Sequence, residues 1–119
     1  GYPVVHVAGT KGKGSVAAMV ESILRSAGLR TGLYTSPHLL DFRERIRSNG
    51  QPIPEDEVTG FVERYEDIIR DIHPSFFEMT VSMAFEYFVN TADCTAYSAA
   101  TRSGSSSTRS SPFHVANAL

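Results

Sequence analysis

The feature that most constrains this chain is its opening order: a short apolar run, a glycine-rich turn, then a helical repeat. Pro3-Val4-Val5-His6-Val7-Ala8 is apolar and rich in β-branched residues, the form of a buried parallel strand. Gly9-Thr10-Lys11-Gly12-Lys13-Gly14-Ser15 follows. Apolar residues then recur at Val16, Met19, Val20, Ile23, Leu24 and Ala27, which is helical spacing, and Gly28 is a natural stop. Arg30-Thr31-Gly32-Leu33-Tyr34-Thr35 reads as a second strand. Strand, glycine loop, helix and strand form a βαβ crossover. The expected fold class is α/β, a P-loop-type parallel sheet flanked by helices.

The chain then becomes irregular at Ser36-Pro37-His38-Leu39-Leu40-Asp41, where Pro37 disfavours helix before it. Arg43-Glu44-Arg45-Ile46-Arg47 alternates charge and bulk, and Asn49-Gly50 is a strong turn signal. Pro54 and three acids open a helix whose inner face is Val58, Phe61, Val62, Tyr65, Ile68, Ile69 and Ile72, ended by Pro74. A further helix from about Phe77 carries Met79, Met83, Ala84, Tyr87 and Phe88, a core stripe.

Composition matters at the other end. All 13 acidic residues lie at or before Asp93, while residues 94–119 hold only Arg102 and Arg109. Seven serines fall between Ser98 and Ser111, and residues 103–111 carry no apolar side chain to offset the entropy of ordering them. The expected organisation is therefore a folded part at 1–90 and a Ser/Thr-rich tail at 91–119, disordered or read in a shifted frame. A net charge of −2 without a basic block argues against nucleic-acid or membrane binding. The single cysteine, Cys94, excludes an intrachain disulfide and fits a reducing, cytoplasmic setting. The opening at Gly1, without a Met, suggests a piece of a larger protein.

The glycine loop at 9–15 is the strongest candidate site. A strand turning through glycines into a helix aims backbone N–H groups and a positive dipole end at one point. Lys13 can reach the outer phosphates of a nucleotide, and the Ser15 hydroxyl can ligate its magnesium. The spelling departs from G-x-x-x-x-G-K-[ST] at Val7 and at Gly14, so a plain glycine turn with a solvated lysine stays open. Thr35-Ser36-Pro37-His38 would emerge at the same carboxyl edge of the sheet, where Ser36 could add a second hydroxyl to the metal. His38 is otherwise a surface histidine, His6 a structural one, and His73 helix-end punctuation. Arg43, Arg45 and Arg47 read as a solvated strand face, or could meet an anionic substrate. Glu78 could cap its helix or accept from a flat heteroaromatic ligand stacked on Phe76 or Phe77.

Taken together, these residues resemble the folylpolyglutamate synthase/dihydrofolate synthase family, a branch of the Mur ligase-like enzymes. The matching segments are residues 4–15, then Gly32-Leu33-Tyr34-Thr35-Ser36-Pro37-His38-Leu39 and Asp41-Phe42-Arg43-Glu44-Arg45-Ile46. Asn49-Gly50, Ile53-Pro54, Phe76-Phe77-Glu78-Met79-Thr80 and Ala84-Phe85 continue the match. Lys11 departs from it, since the family usually has Asn there. The resemblance implies a partial Mur ligase central domain and ATP-dependent amide ligation. A carboxylate of folate or dihydropteroate becomes an acyl phosphate, which L-glutamate attacks.

It further implies ATP at Gly9, Thr10, Lys11, Gly12, Lys13, Gly14 and Ser15, with Lys13 catalytic, and Mg2+ at Ser15 and Ser36. Folate is implied at Ser36, Pro37, His38, Asp41, Arg43, Phe76, Phe77 and Glu78, in a monomer with small-molecule partners only. The family continues after residue 90 with a Glu-Val-Gly-Leu-Gly-Gly loop, a metal histidine, a carbamylated lysine and a glutamate-binding domain. None of these stands here, so the 119-residue chain is expected not to turn over. A one-base shift of one spelling of that loop yields Arg-Ser-Gly-Ser, the residues at 102–105. Two alternatives are a muramyl-type ligase piece and a non-catalytic or truncated nucleotide-binding product.

Overall fold

The structure of the protein, a computed structural model, describes residues 3–102 and 113–117. Strand β1 (Val4–Val7) runs through the glycine loop into helix α1 (Lys13–Ser26) and then strand β2 (Thr31–Tyr34), as the apolar spacing predicts. A 3-10 turn at Phe42–Arg45 leads into β3 (Ile46–Ser48), and β4 (Gln51–Pro52) returns beside it. Asn49 and Gly50 join the two strands at φ +50° and +81°. That left-handed pair is the backbone an Asn-Gly hairpin turn requires.

Beyond it, α2 (Glu55–Arg64) and α3 (Glu66–Ile72) meet at Tyr65, so the single helix expected over this stretch is two. His73, in the left-handed conformation, ends α3 just before Pro74. Helix α4 then spans Phe76–Arg102, and β5 spans Phe113–Asn117. Among the described residues, no helix is long and apolar enough to cross a membrane.

The sheet order is β1-β5-β2-β3-β4. β1, β5 and β2 are parallel, whereas β3 and β4 add an antiparallel edge, so the sheet is mixed rather than parallel throughout. The boundary placed near residue 90 is not an element boundary. α4 continues through it, in a stretch where Ala92, Ala96, Ala99 and Ala100 favour helix. Phe113–Asn117 occupies the slot between β1 and β2, with Val115 opposite both Val5 and Leu33. It is a short apolar run masked in the composition by the serines before it. Residues 103–112, the centre of the serine-rich stretch, lie outside the described residues.

Alternation along β2 separates two apolar layers. Leu33 faces α1 and packs with Ala17, joined by Val5, Val7, Val20 and Leu24. Tyr34 faces the other side, where Ile46, Ile53, Phe61, Met83, Ala84 and Phe88 form the larger core. Gly32 shares that side. A β-carbon there would stand 2.8 Å from the Phe88 ring, so the absence of a side chain lets α4 lie close to the sheet. Of the inner face expected for residues 58–72, Phe61 is buried, while Val62, Ile68 and Ile72 are exposed. Val62 precedes the break at Tyr65 and Ile68 and Ile72 follow it, so outward apolar residues stand on both helices.

Candidate functional site

The glycine loop leaves the carboxyl end of β1 and enters α1 through Gly12, whose φ of +73° is left-handed. Nothing lies within 4 Å of where its β-carbon would stand, so glycine is needed there for conformation, not for room. The first intrahelical bond of α1 runs from Val16 N–H to the Gly12 carbonyl at 3.0 Å. The amides of Lys13, Gly14 and Ser15 precede it at the positive end of the helix, and no acidic side chain stands in that first turn. Lys13 folds back over the loop, its ammonium donating to the Gly9 carbonyl at 2.6 Å. Thr10, Lys11 and Ser15 are exposed around it. The seven residues predicted for phosphate binding thus share one open, electropositive turn.

Ser36, Pro37 and His38 follow β2 at the same edge of the parallel strands, and the Ser36–Pro37 peptide is cis. Because β5 lies between β1 and β2, the two loops start two strand spacings, about 10 Å, apart. The order of this second loop comes from two carboxylates. Glu44 accepts from the N–H groups of Leu39, Leu40 and Asp41 at 3.0, 3.3 and 3.1 Å. Asp41 caps the 3-10 turn through Arg43 N–H at 2.9 Å and pairs with the Arg43 guanidinium at 2.8 Å. The folate candidates Asp41 and Arg43 thus pair with each other, both side chains remaining exposed. The Arg43 side chain holds the Asp41 carboxyl below the usual range, and the Leu39 N–H leads the same effect on Glu44.

Arg45, read from the sequence as part of a solvated strand face or as a contact for an anionic substrate, has a burial that sequence reasoning missed. It is not on a solvated strand face, being 9% exposed. Its Nε donates to His38 Nδ1 at 2.8 Å and its Nη1 to Ser36 Oγ at 3.0 Å. The guanidinium carbon stands 5.1 Å from the centre of the Phe76 ring. Phe76 also meets Phe42 edge-on at 5.9 Å, and Phe77 meets Tyr34 at 6.3 Å. His38, Phe42 and Phe76 so form one aromatic wall beside Ser36, and Phe77 packs separately on Tyr34. The only sequence hint was a bulky apolar residue, Ile46, directly after Arg45 at a strand start.

Glu78 takes the capping role, the first of its two readings. Its Oε2 accepts from Ser75 N–H at 2.8 Å and from Ser75 Oγ at 2.7 Å, while Glu78 N–H donates to Ser75 Oγ at 3.2 Å. This is a reciprocal capping box at the start of α4, and the Ser75 hydroxyl holds the Glu78 carboxyl below its usual range. The Ser-x-x-Glu spacing was the available signal, as Asp-x-x-Glu was for Asp41 and Glu44. Among the described residues no group of three or more His, Cys, Asp or Glu could hold a metal. The hydroxyls differ in readiness for a cation. Ser15 stands exposed by the loop, whereas Ser36 accepts from a guanidinium, a positive charge that a cation would have to displace.

Known proteins share both this sequence and this geometry. The mitochondrial folylpolyglutamate synthase of Cricetulus griseus is 44% identical over 93 residues, covering 72% of this chain and 16% of that protein. A folylpolyglutamate synthase of Thermotoga maritima matches in fold at a TM-score of 0.78 and 38% identity, over 98% of this chain and 25% of that one. The chain belongs to the folylpolyglutamate synthase family. E. coli FolC in complex with DHPP and ADP matches at a TM-score of 0.75 and 30% identity, over 97% of this chain and 23% of that one. The bifunctional folylpolyglutamate synthase/dihydrofolate synthase of Yersinia pestis, at the same score and identity over 97% and 24%, is complexed with AMPPNP and a Mn ion. No family model matches the chain. It spans about a sixth of the curated folylpolyglutamate synthase named above. Nucleotide and divalent-metal use thus mark these folylpolyglutamate synthase neighbours.

Proposed function

We propose that this chain carries the phosphate loop and part of the folate wall of an ATP-dependent ligase that adds L-glutamate to a folate or dihydropteroate. The observation that carries the reading is the open glycine turn at the carboxyl edge of β1, beside the Ser36–His38 loop of β2. Backbone amides at residues 13–15 and the Lys13 ammonium would cradle the phosphates, which phosphoryl transfer needs more than any covalent chemistry. Binding would exchange the Lys13 contact with Gly9 for one with a phosphate oxygen. The substrate carboxylate would then take the γ-phosphoryl group as an acyl phosphate, open to attack by the amine of glutamate.

Mg2+, when bound, would neutralise phosphate charge. Ser15, exposed in the first turn of α1, fits that role, and Ser36 fits it once Arg45 releases the hydroxyl. Phe76 and Phe77 would stack the flat heterocycle. Glu78 would act on that end through the start of α4 that it caps, and Asp41 with Arg43 through the loop they brace. With no acidic metal cluster among the described residues, we further propose that the chain alone binds without turning over.

Calorimetric titration of the 119-residue chain with Mg-ATP tests the reading. Lys13→Ala is expected to weaken binding at least tenfold, the loss of one charge-assisted contact, roughly 1.5 kcal/mol. Equal affinity in the two proteins would remove the nucleotide assignment.

A further inference from the structure

The surroundings of Arg45 carry an inference that deepens the folate side of this reading and rests on it. A buried guanidinium is costly unless every face of it is used. Here three partners come from two segments, Ser36 and His38 from the loop after β2 and Phe76 from the first turn of α4, while Arg45 itself stands at the end of the 3-10 turn. Two of the contacts are hydrogen bonds from one rigid planar group, at 2.8 and 3.0 Å. The third is a cation over an aromatic ring. Thr35 N–H adds a backbone tie to the Arg45 carbonyl at 2.9 Å.

The bond to His38 has a chemical consequence. Because Nε–H of Arg45 donates to Nδ1, that nitrogen must be the acceptor, and the hydrogen of the neutral ring sits on Nε2. We propose that Arg45 is the positioning residue of the folate-side wall. One guanidinium holds the His38 ring and the Phe76 face as a unit, with the Ser36 hydroxyl until a cation takes it, so that His38 offers Nε2–H to an acceptor atom of the bound ligand. Lysine cannot replace it, since a point ammonium lacks the fork that reaches both partners at once.

The test uses the full chain, with folic acid and Mg-ATP as separate probes. Measured well below the melting temperature of each variant, Arg45→Lys and Arg45→Gln are expected to weaken folic-acid binding about tenfold and to leave Mg-ATP binding undiminished, since loss of the guanidinium frees Ser36. A merely structural arginine would lower both affinities together. Nuclear magnetic resonance supplies a second readout that needs no ligand. The Arg45 Nε–H signal should be slow to exchange in the unaltered chain and lost as a protected signal in His38→Ala.

Undiminished folic-acid binding in Arg45→Lys, or an Arg45 Nε–H signal indifferent to His38→Ala, would overturn the proposal. A chain that binds Mg-ATP but no folic acid would defeat the folate reading instead. The Nε–H signal would then decide the positioning role by itself.

Discussion

The two faces of the sheet are built to different standards. On the α4 side, Tyr34, Ile46, Ile53, Phe61, Met83, Ala84 and Phe88 form one buried cluster, and the aromatic wall continues it toward Ser36. Among the described residues, the buried apolar set on the α1 side is Ala17 and Leu33, with Glu21 and Thr31 buried beside them and hydrogen-bonded to each other. There the apolar helix residues Val16, Met19 and Ile23 are 45, 58 and 68% exposed. Burial of apolar area is what holds such layers, so the α4 side supplies most of the stability and the α1 side carries the phosphate loop on a lightly covered helix. The turn proposed to accept phosphates sits on the lightly packed side, and the wall proposed for a flat heterocycle grows out of the well-packed one.

The contrast can be broken most strongly at Phe88. Phe88→Ala should cost about 3 to 5 kcal/mol, enough to unfold a marginal domain, as read by urea unfolding. Next is Gly32→Ala, whose added methyl meets the same ring. It should cost about 1 to 3 kcal/mol by overpacking, and Phe88→Leu should relieve part of that loss. Ser75→Ala removes the cap of α4 and should cost about 1 kcal/mol. On the other face, Ile23→Ser should change stability by no more than about 0.5 kcal/mol. A large loss there would show that α1 is better covered than its exposure indicates.

Acid sharpens the same comparison by a smaller effect. Asp41, Glu44 and Glu78 all have folded-state values below their usual ones, and all three brace the loop or helix start of the α4 side. Groups of this sign contribute stability that is fully present above the ordinary carboxylate range. It is lost as pH falls through the lowered values, below about pH 4. Melting temperature should therefore hold steady from neutral pH to about 5 and decline below that. Glu78→Gln should flatten part of the decline, whereas a profile unchanged by that substitution would mean that the cap does not titrate with folding.

Much of the fold was readable because its signals are local. The β1–loop–α1–β2 order follows from strand, glycine and helical spacing within a few residues of each other. Asn49-Gly50 turned where its left-handed conformers allow, and the phosphate-loop candidates stood together because they are consecutive. The break at Tyr65 and the continuation of α4 past residue 90 were not readable, since each depends on what packs against the helix. Among the candidate site residues, Asp41, Arg43 and Glu78 turned out to bond to neighbours two or three residues away, a use that such short spacings announce.

By itself the sequence determined the strand–helix–strand order, the glycine turn at residues 9–15 and the hairpin turn, and it holds the spacings of the two capping boxes. Each depends on backbone preferences and hydrogen bonds that close within one turn of chain. Only the tertiary structure decided that Arg45 is buried among Ser36, His38 and Phe76, that Phe113–Asn117 fills the slot between β1 and β2, and that half of the apolar face of α1 stays uncovered. Those outcomes depend on partners far away in the chain, where burial, not local propensity, selects which charge goes inside and which apolar face is left in water.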